Sequence, residues 1–258
     1  MFYSTCRSAM DCVPRLPIFS VLFSLALSAC GGSIDKSGSL DNANDPFEGF
    51  NRTMFSVNMT LDDYVLEPVA KGYLIVPEPV RISLRRFLDN LSSPVTLAND
   101  ALQGEWARAR NTASRLGINT TLGLFGFFDP ASRYGFEPHS EDFGQTLGAY
   151  GASEGPYVYL PILGPSPPRD LFGTVVDTAF DPVTHILDDG ISGPVLVFAF
   201  KGIDSRATNM GLIDEIERSS VDYYASVRSL YRQNRTSEIA NGKTNFDDLP
   251  DIDDLDDY

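Results

Sequence analysis

The chain has 258 residues, 43% of them hydrophobic, and carries 35 acidic against 20 basic side chains, a net charge of −15. An acidic chain without a basic stripe is repelled by a polyanion rather than drawn to it by counterion release, so nucleic acid is excluded as a partner. Attraction to anionic lipid headgroups is weak for the same reason.

The chain begins with Arg7 and Arg15 as a positive segment, followed by an apolar run from Leu16 to Ala29 that closes on Leu27-Ser28-Ala29-Cys30. The run is too short to span a bilayer, and it reads as a signal peptide over residues 1–29, cut before Cys30 by a lipoprotein signal peptidase. Acylation of Cys30 supplies an effectively permanent anchor, because each buried methylene contributes about 0.8 kcal/mol. Gly31 stands where the lipoproteins this segment resembles carry Asp when they stay in the inner membrane. The outer membrane, facing the periplasm, is therefore the expected address. Cleavage removes Cys6 and Cys12, so no disulfide and no thiolate metal site is expected in the mature chain, whose net charge is −16. Residues 30–44 are rich in Gly, Ser, Asp and Asn and read as a lipidated flexible tether.

From Asp45 to Gly242 helix signals outnumber strand signals. A helix fits Pro46 to Leu61, and Val80, Leu84, Phe87, Leu88 and Leu91 form one face of a second that opens after Pro77 and Pro79 and stops before Pro94. Further helices fit Glu105 to Asn119, Asp170 to Phe180 and Ser205 to Arg218, and a long C-terminal one carries Val221, Tyr224, Val227, Leu230 and Tyr231. The expected class is all-α, with seven to nine helices and no strand run that survives its prolines. No stretch after Cys30 is apolar over eighteen residues, yet Phe47, Phe50, Phe55, Tyr64, Tyr73 and Phe87 crowd the first helices. Such aromatics suit either a core or a membrane interface.

Leu122 to Asp129 (Leu-Gly-Leu-Phe-Gly-Phe-Phe-Asp) holds two glycines three apart and no charge before Asp129. It reads equally as a buried hairpin between helices or as an apolar loop that meets lipid. His139-Ser140-Glu141-Asp142 reads as a helix start capped by Ser140, with the two carboxylates facing the positive end of the dipole. Gly151-Ala152-Ser153-Glu154-Gly155 matches the Gly-x-Ser-x-Gly nucleophile pattern, with Asp177 or Asp181 and then His185 in hydrolase order. Pro156 and Pro161 deny it the helix that pattern needs. No cofactor signature and no metal site is expected with two histidines and no mature thiol. Residues 243–258, dense in aspartate, read as an acidic disordered tail.

Asp45-Pro46-Phe47-Glu48-Gly49-Phe50-Asn51-Arg52, Val76-Pro77, Leu102-Gln103-Gly104, Gly126-Phe127, Phe143-Gly144-Gln145-Thr146-Leu147-Gly148, Gly155-Pro156-Tyr157-Val158 and Arg169-Asp170 together resemble the MlaA/VacJ outer-membrane lipoproteins. The resemblance implies a single ring-like helical domain over residues 45–242, lying in the inner leaflet of the outer membrane with an amphipathic channel. It implies retrograde phospholipid transport without catalysis: misplaced phospholipid leaves the outer leaflet and passes to a soluble periplasmic lipid carrier, preserving lipid asymmetry. A trimeric porin is the implied membrane partner. In that family a mobile hairpin lies beside the pore, and the matching residues are Gly123 to Asp129. Phe125, Phe127 and Phe128 are the expected lipid-facing residues, and Gly123 and Gly126 the hinges. Two competing readings are a membrane-anchored lipase or esterase using Ser153, and a purely structural envelope lipoprotein.

Overall fold

The computed structural model describes residues 44–183 and 192–243. The expected signal peptide, Cys30, His185 and the acidic tail beyond Lys243 lie outside the described residues. Within them the order is α1 (Glu48–Leu61), a π-helical turn (Asp62–Leu66), α2 (Glu67–Tyr73), α3 (Glu78–Leu102), α4 (Trp106–Thr121), the short α5 (Pro130–Arg133) and α6 (Phe143–Ala149). A two-stranded antiparallel clip follows, β1 (Tyr159–Leu160) with β2 (Gly164–Pro165), then α7 (Pro168–Phe180), α8 (Ser192–Thr208), α9 (Met210–Ser219) and α10 (Tyr223–Ile239). The all-α expectation holds. No described helix is long and apolar enough to cross a membrane.

Four expectations are corrected. Pro94 does not end the second helix, because α3 runs 25 residues straight through it. An internal proline removes one backbone bond and costs about 3 kcal/mol, which the extensive packing of α3 along α4 offsets. The helix expected from Ser205 is the end of α8, and Asn209 breaks it from α9. Val221 precedes α10 and is exposed, since Asp222 caps that helix by accepting from the Ala225 amide at 3.1 Å. Ser140 caps nothing. Asp142 sits two residues nearer α6 and reaches its third amide, accepting from Gln145 N at 2.9 Å.

The apolar core is small and aromatic. Phe55 of α1 meets Tyr159, Tyr223 and Tyr224 edge-on at 5.4, 5.2 and 5.6 Å, tying α1 and α10 to the β1 segment. Around it the described interior is mostly polar, with buried Asn51, Asn99, Asp100, Glu141, Asp170, Asp204, Arg206 and Arg235. Buried charge is stable only when paired. Arg235 accordingly donates to Asp142 at 2.7 Å and to Asp170 at 2.9 Å, and Arg206 donates to Asp62 at 3.0 Å. Large apolar side chains, among them Phe50, Trp106, Phe172, Phe180 and Leu196, are instead exposed.

Candidate functional site

The residues from Asp45 to Arg52 form a structural clasp. Asn51 is completely buried, donates to Asp45 at 2.7 Å and to the Tyr157 carbonyl at 3.0 Å, and accepts from the Tyr159 amide at 2.9 Å. Asp45 also accepts from Arg228 at 2.6 Å and from the Tyr224 hydroxyl. Burial raises its pKa, but these hydrogen bonds outweigh it and hold the carboxyl below its ordinary value. Arg52 joins Glu48 to Asp222 at 2.7 and 2.6 Å. Pro46 and Gly49 lie at the start of α1, and Phe47 and Phe50 beside them are exposed. The polar members of the motif therefore fasten the start of α1 to α10 and the β1 segment, leaving two phenylalanines on the surface.

The segment from Leu122 to Asp129 is an exposed hairpin. Leu122 and Leu124 point outward, Phe125 is 68% exposed and Phe128 57%, while Phe127 stacks on Phe87 of α3 with ring centroids 4.7 Å apart. The surface-loop reading of this segment is the one the fold favours over a buried hairpin. Its backbone is closed by internal bonds, Phe128 N to the Gly123 carbonyl at 2.9 Å and Gly126 N to the Asn119 carbonyl at 2.9 Å. Gly126 has φ of +98°, and a Cβ on it would meet the Asn90 Cβ at 2.4 Å. Gly123 presses against the Phe128 and Asn119 carbonyls, where a Cβ would lie 2.4 and 2.5 Å away. Both glycines permit close approach, and Asn90 fastens the tip by donating to the Phe125 carbonyl at 3.2 Å. Asp129 anchors the base, accepting from Arg115 and Asn119 at 3.0 Å each and from Ser132. Burial pushes its pKa up, but those bonds prevail and set it at about 2.

Behind the hairpin lies a polar cavity of about 670 Å³, lined by residues of α3, α4, the loop before α6, α7 and α8. It shares Asp142, Asp177, Asp181 and Lys201 with a second cavity of about 460 Å³, and Asp89 and Lys201 with a third of about 290 Å³. Lys201 lines all three. Pro94 falls where α3 borders the largest, beside Asp89, Asn90, Ser92, Ser93, Val95 and Thr96. Burial raises the Asp89 and Asp177 carboxyls above their ordinary range. Asp89 is solvent-exposed on the cavity wall, and the protein around it still raises its carboxyl. Asp129, Asp177 and Asp181 on these walls stand in patterns the sequence already offered, whereas Asp89 and Lys201 were not legible as site residues. The visible signal in α3 is the set of small polar residues Asn90, Ser92, Ser93 and Thr96 beside Asp89 on an otherwise amphipathic helix.

The hydrolase pattern is not assembled among the described residues. Ser153 is exposed in a loop, Gly151 and Gly155 adopt φ of +85° and +78°, and no helix follows Gly155. Asp177 lies in α7 and accepts from the Phe143 amide at 2.8 Å and from Asn99 at 3.1 Å. His139 does meet a carboxylate, with Nε2 3.1 Å from both oxygens of the buried Asp100, but Thr112 and Arg108 also bind that carboxylate. The group is a polar core cluster. Asp62, Asp63 and Glu67 converge at the π-helical turn, where Arg206 and Lys71 balance them.

Residues 43–238 match the family model described as MlaA lipoprotein. The intermembrane phospholipid transport system lipoprotein MlaA of Haemophilus influenzae is 36% identical over 230 residues, covering 87% of this chain and 90% of that protein. The protein of the same name from Escherichia coli K12 is 37% identical over 235 residues, covering 88% and 89%. A solved chain described under "Structural basis for maintenance of bacterial outer membrane lipid asymmetry" superposes with a TM-score of 0.68 at 36% identity, over 76% of this chain and 98% of the other. With that extent of match, and with the clasp, the Gly-rich hairpin and the polar cavities in place, the chain belongs to the MlaA lipoprotein family.

Proposed function

We propose that this chain is an outer-membrane lipoprotein of an intermembrane phospholipid transport system, which removes misplaced phospholipid from the outer leaflet and passes it to a periplasmic carrier. The observation that carries this reading is the juxtaposition of cavities that share charged wall residues with an exposed apolar hairpin. A phospholipid moving between leaflets needs a polar path for its headgroup, because an unpaired charge in hydrocarbon costs several kcal/mol. Its tails need apolar contact, since each methylene withdrawn from hydrocarbon costs about 0.8 kcal/mol. Cavities lined by Asp89, Asp177 and Lys201 offer the first, and Phe125 and Phe128 the second. No step requires catalysis.

In this reading Cys30 is the acylated anchor, residues 30–44 the tether, 45–242 the helical body and 243–258 an acidic tail. The body sits in the inner leaflet on the periplasmic side, beside a trimeric porin. Gly123, Phe125, Gly126, Phe127, Phe128 and Asp129 form the lipid-channel hairpin, with the glycines as its hinges.

Surface phospholipid in a deletion strain tests the proposal. It should rise without this chain, return to normal with the wild-type copy, and stay high with Cys30→Ala. Unchanged surface phospholipid in the deletion strain would leave a structural lipoprotein as the better reading. Loss of function in Ser153→Ala at normal abundance, with fatty acid released by wild type alone, would favour the lipase.

A further inference from the structure

The largest of the three cavities carries charges of both signs, and four of its wall residues are held in ion pairs. Arg115 holds Asp129 at 3.0 Å, Arg108 holds Glu141 at 2.5 Å, and Arg235 holds Asp142 at 2.7 Å. Four groups on the wall are not in ion pairs among the described residues: the cations Arg86 and Lys201 and the carboxylates Asp89 and Asp177. Lys201 reaches only Ser92 Oγ, at 3.5 Å. No described residue donates a hydrogen bond to the Asp89 carboxylate, and Asp177 receives only the neutral donors of Phe143 and Asn99.

Cations and anions that share a wall without pairing suit a ligand that carries both signs. Lys201 and Asp89 line the same cavity and form no ion pair with each other among the described residues, so a dipolar group bound there can meet both. A phosphate alone would gain from Lys201 and Arg86 but would face two uncompensated carboxylates, which repel it. A phosphate joined to an ammonium satisfies all four groups. A cavity of about 670 Å³ falls within the roughly 300–1,000 Å³ typical of small-ligand sites, and its charged side chains suit a headgroup.

We propose that Asp89 and Asp177 make this cavity selective for phospholipids whose headgroup bears an ammonium, with the phosphate turned toward Lys201 and Arg86, and against headgroups of net negative charge. The proposal rests on the transport reading and deepens it by naming the substrate class. Asp89 and Asp177 are specificity-determining residues in this account. Each loses its unpaired state when an ammonium arrives.

The experiment uses the full-length acylated chain incubated with vesicles of equal phosphatidylethanolamine and phosphatidylglycerol, repurified, and its bound lipid identified by mass spectrometry. Wild type should enrich phosphatidylethanolamine about fivefold, the selectivity expected of roughly one net charge contact. Asp89→Asn with Asp177→Asn should bring the ratio close to one by lowering the bound phosphatidylethanolamine. Asp89→Asn alone, at the more open carboxylate, should give an intermediate ratio and serves as the test if the double variant loses helical content. Bound lipid in wild type without enrichment, enrichment of phosphatidylglycerol, or a ratio unmoved by the folded variants would overturn the selectivity and leave the transport reading standing. Absence of bound lipid from wild type would overturn both.

Discussion

Gly173 of α7 approaches Gly144 of α6 so closely that a Cβ on Gly173 would lie 2.3 Å from the Gly144 nitrogen and 2.7 Å from its Cα. Gly144 is itself hemmed in by Arg235 Nη2 at 2.5 Å and Asp170 Oδ1 at 2.8 Å from a Cβ built there. The two helices therefore touch backbone to backbone, and the ion-pair network of α10 closes over the contact. The obstruction is main chain, so side-chain movement cannot relieve it. Gly173→Ala should cost about 1–3 kcal/mol or more of stability through forced separation of α6 and α7. Chemical denaturation should show the loss, and a variant as stable as wild type would contradict the packing.

Arg235 and Arg52 give a paired comparison of buried and exposed ion pairs. Arg235→Met removes the buried cation shared by Asp142 and Asp170, leaves Asp170 with Arg169 as its one remaining cation among the described residues, and should destabilise by about 3 kcal/mol. Arg52→Met removes an exposed bridge to Asp222 and a cation–π contact with Tyr224 at 4.6 Å, and should cost about 1 kcal/mol. Equal losses in the two variants, measured by denaturant midpoint, would refute the difference in burial.

Asp129 predicts an acid-dependent contribution. Its folded pKa of about 2 lies below the ordinary 3.8, so its stabilisation is fully present above about pH 4 and disappears as pH falls through about 2. The shift corresponds to roughly 2 kcal/mol. The stability difference between wild type and Asp129→Asn should accordingly be widest near pH 5 and shrink toward pH 2.5. A difference independent of pH would show that the carboxylate charge is not what holds the hairpin base.

The hairpin phenylalanines should separate by role. Phe125→Asp and Phe128→Asp change exposed side chains and should raise surface phospholipid at normal abundance and helical content, because a charge in hydrocarbon costs about 2.5–3.5 kcal/mol. Phe127→Asp also breaks the stack on Phe87 and should lower stability as well as transport. Wild-type surface phospholipid in the first two variants would remove the hairpin from the lipid path.

Helical class was determined by the sequence because apolar spacing along α1, α3, α4 and α10 is a local property, readable wherever the period survives. Helix ends were less legible. Pro94 reads locally as a stop, and only the tertiary packing of α3 along α4 carries the helix through it. Ser140 and Asp142 are both competent caps by residue type; the position at which α6 begins decided for Asp142.

The hairpin shows the same division. Its glycines and missing charge marked Leu122 to Asp129 as exceptional, but whether its phenylalanines faced the interior or the surface depended on Asn90 and Phe87 of α3, thirty-five and forty residues from the Phe125 and Phe127 they hold. The cavity was decided by the fold alone. Asp89, Asp177 and Lys201 stand on three different helices, and no spacing rule brings together groups so far apart in the chain. Asp89 and Lys201 read locally as solvated surface charges, and Asp177 only as a member of a hydrolase order that the fold does not assemble. Their meeting on one cavity wall, where burial raises both carboxyls, is a property of tertiary packing, since desolvation and long-range electrostatics depend on distance in space rather than along the sequence.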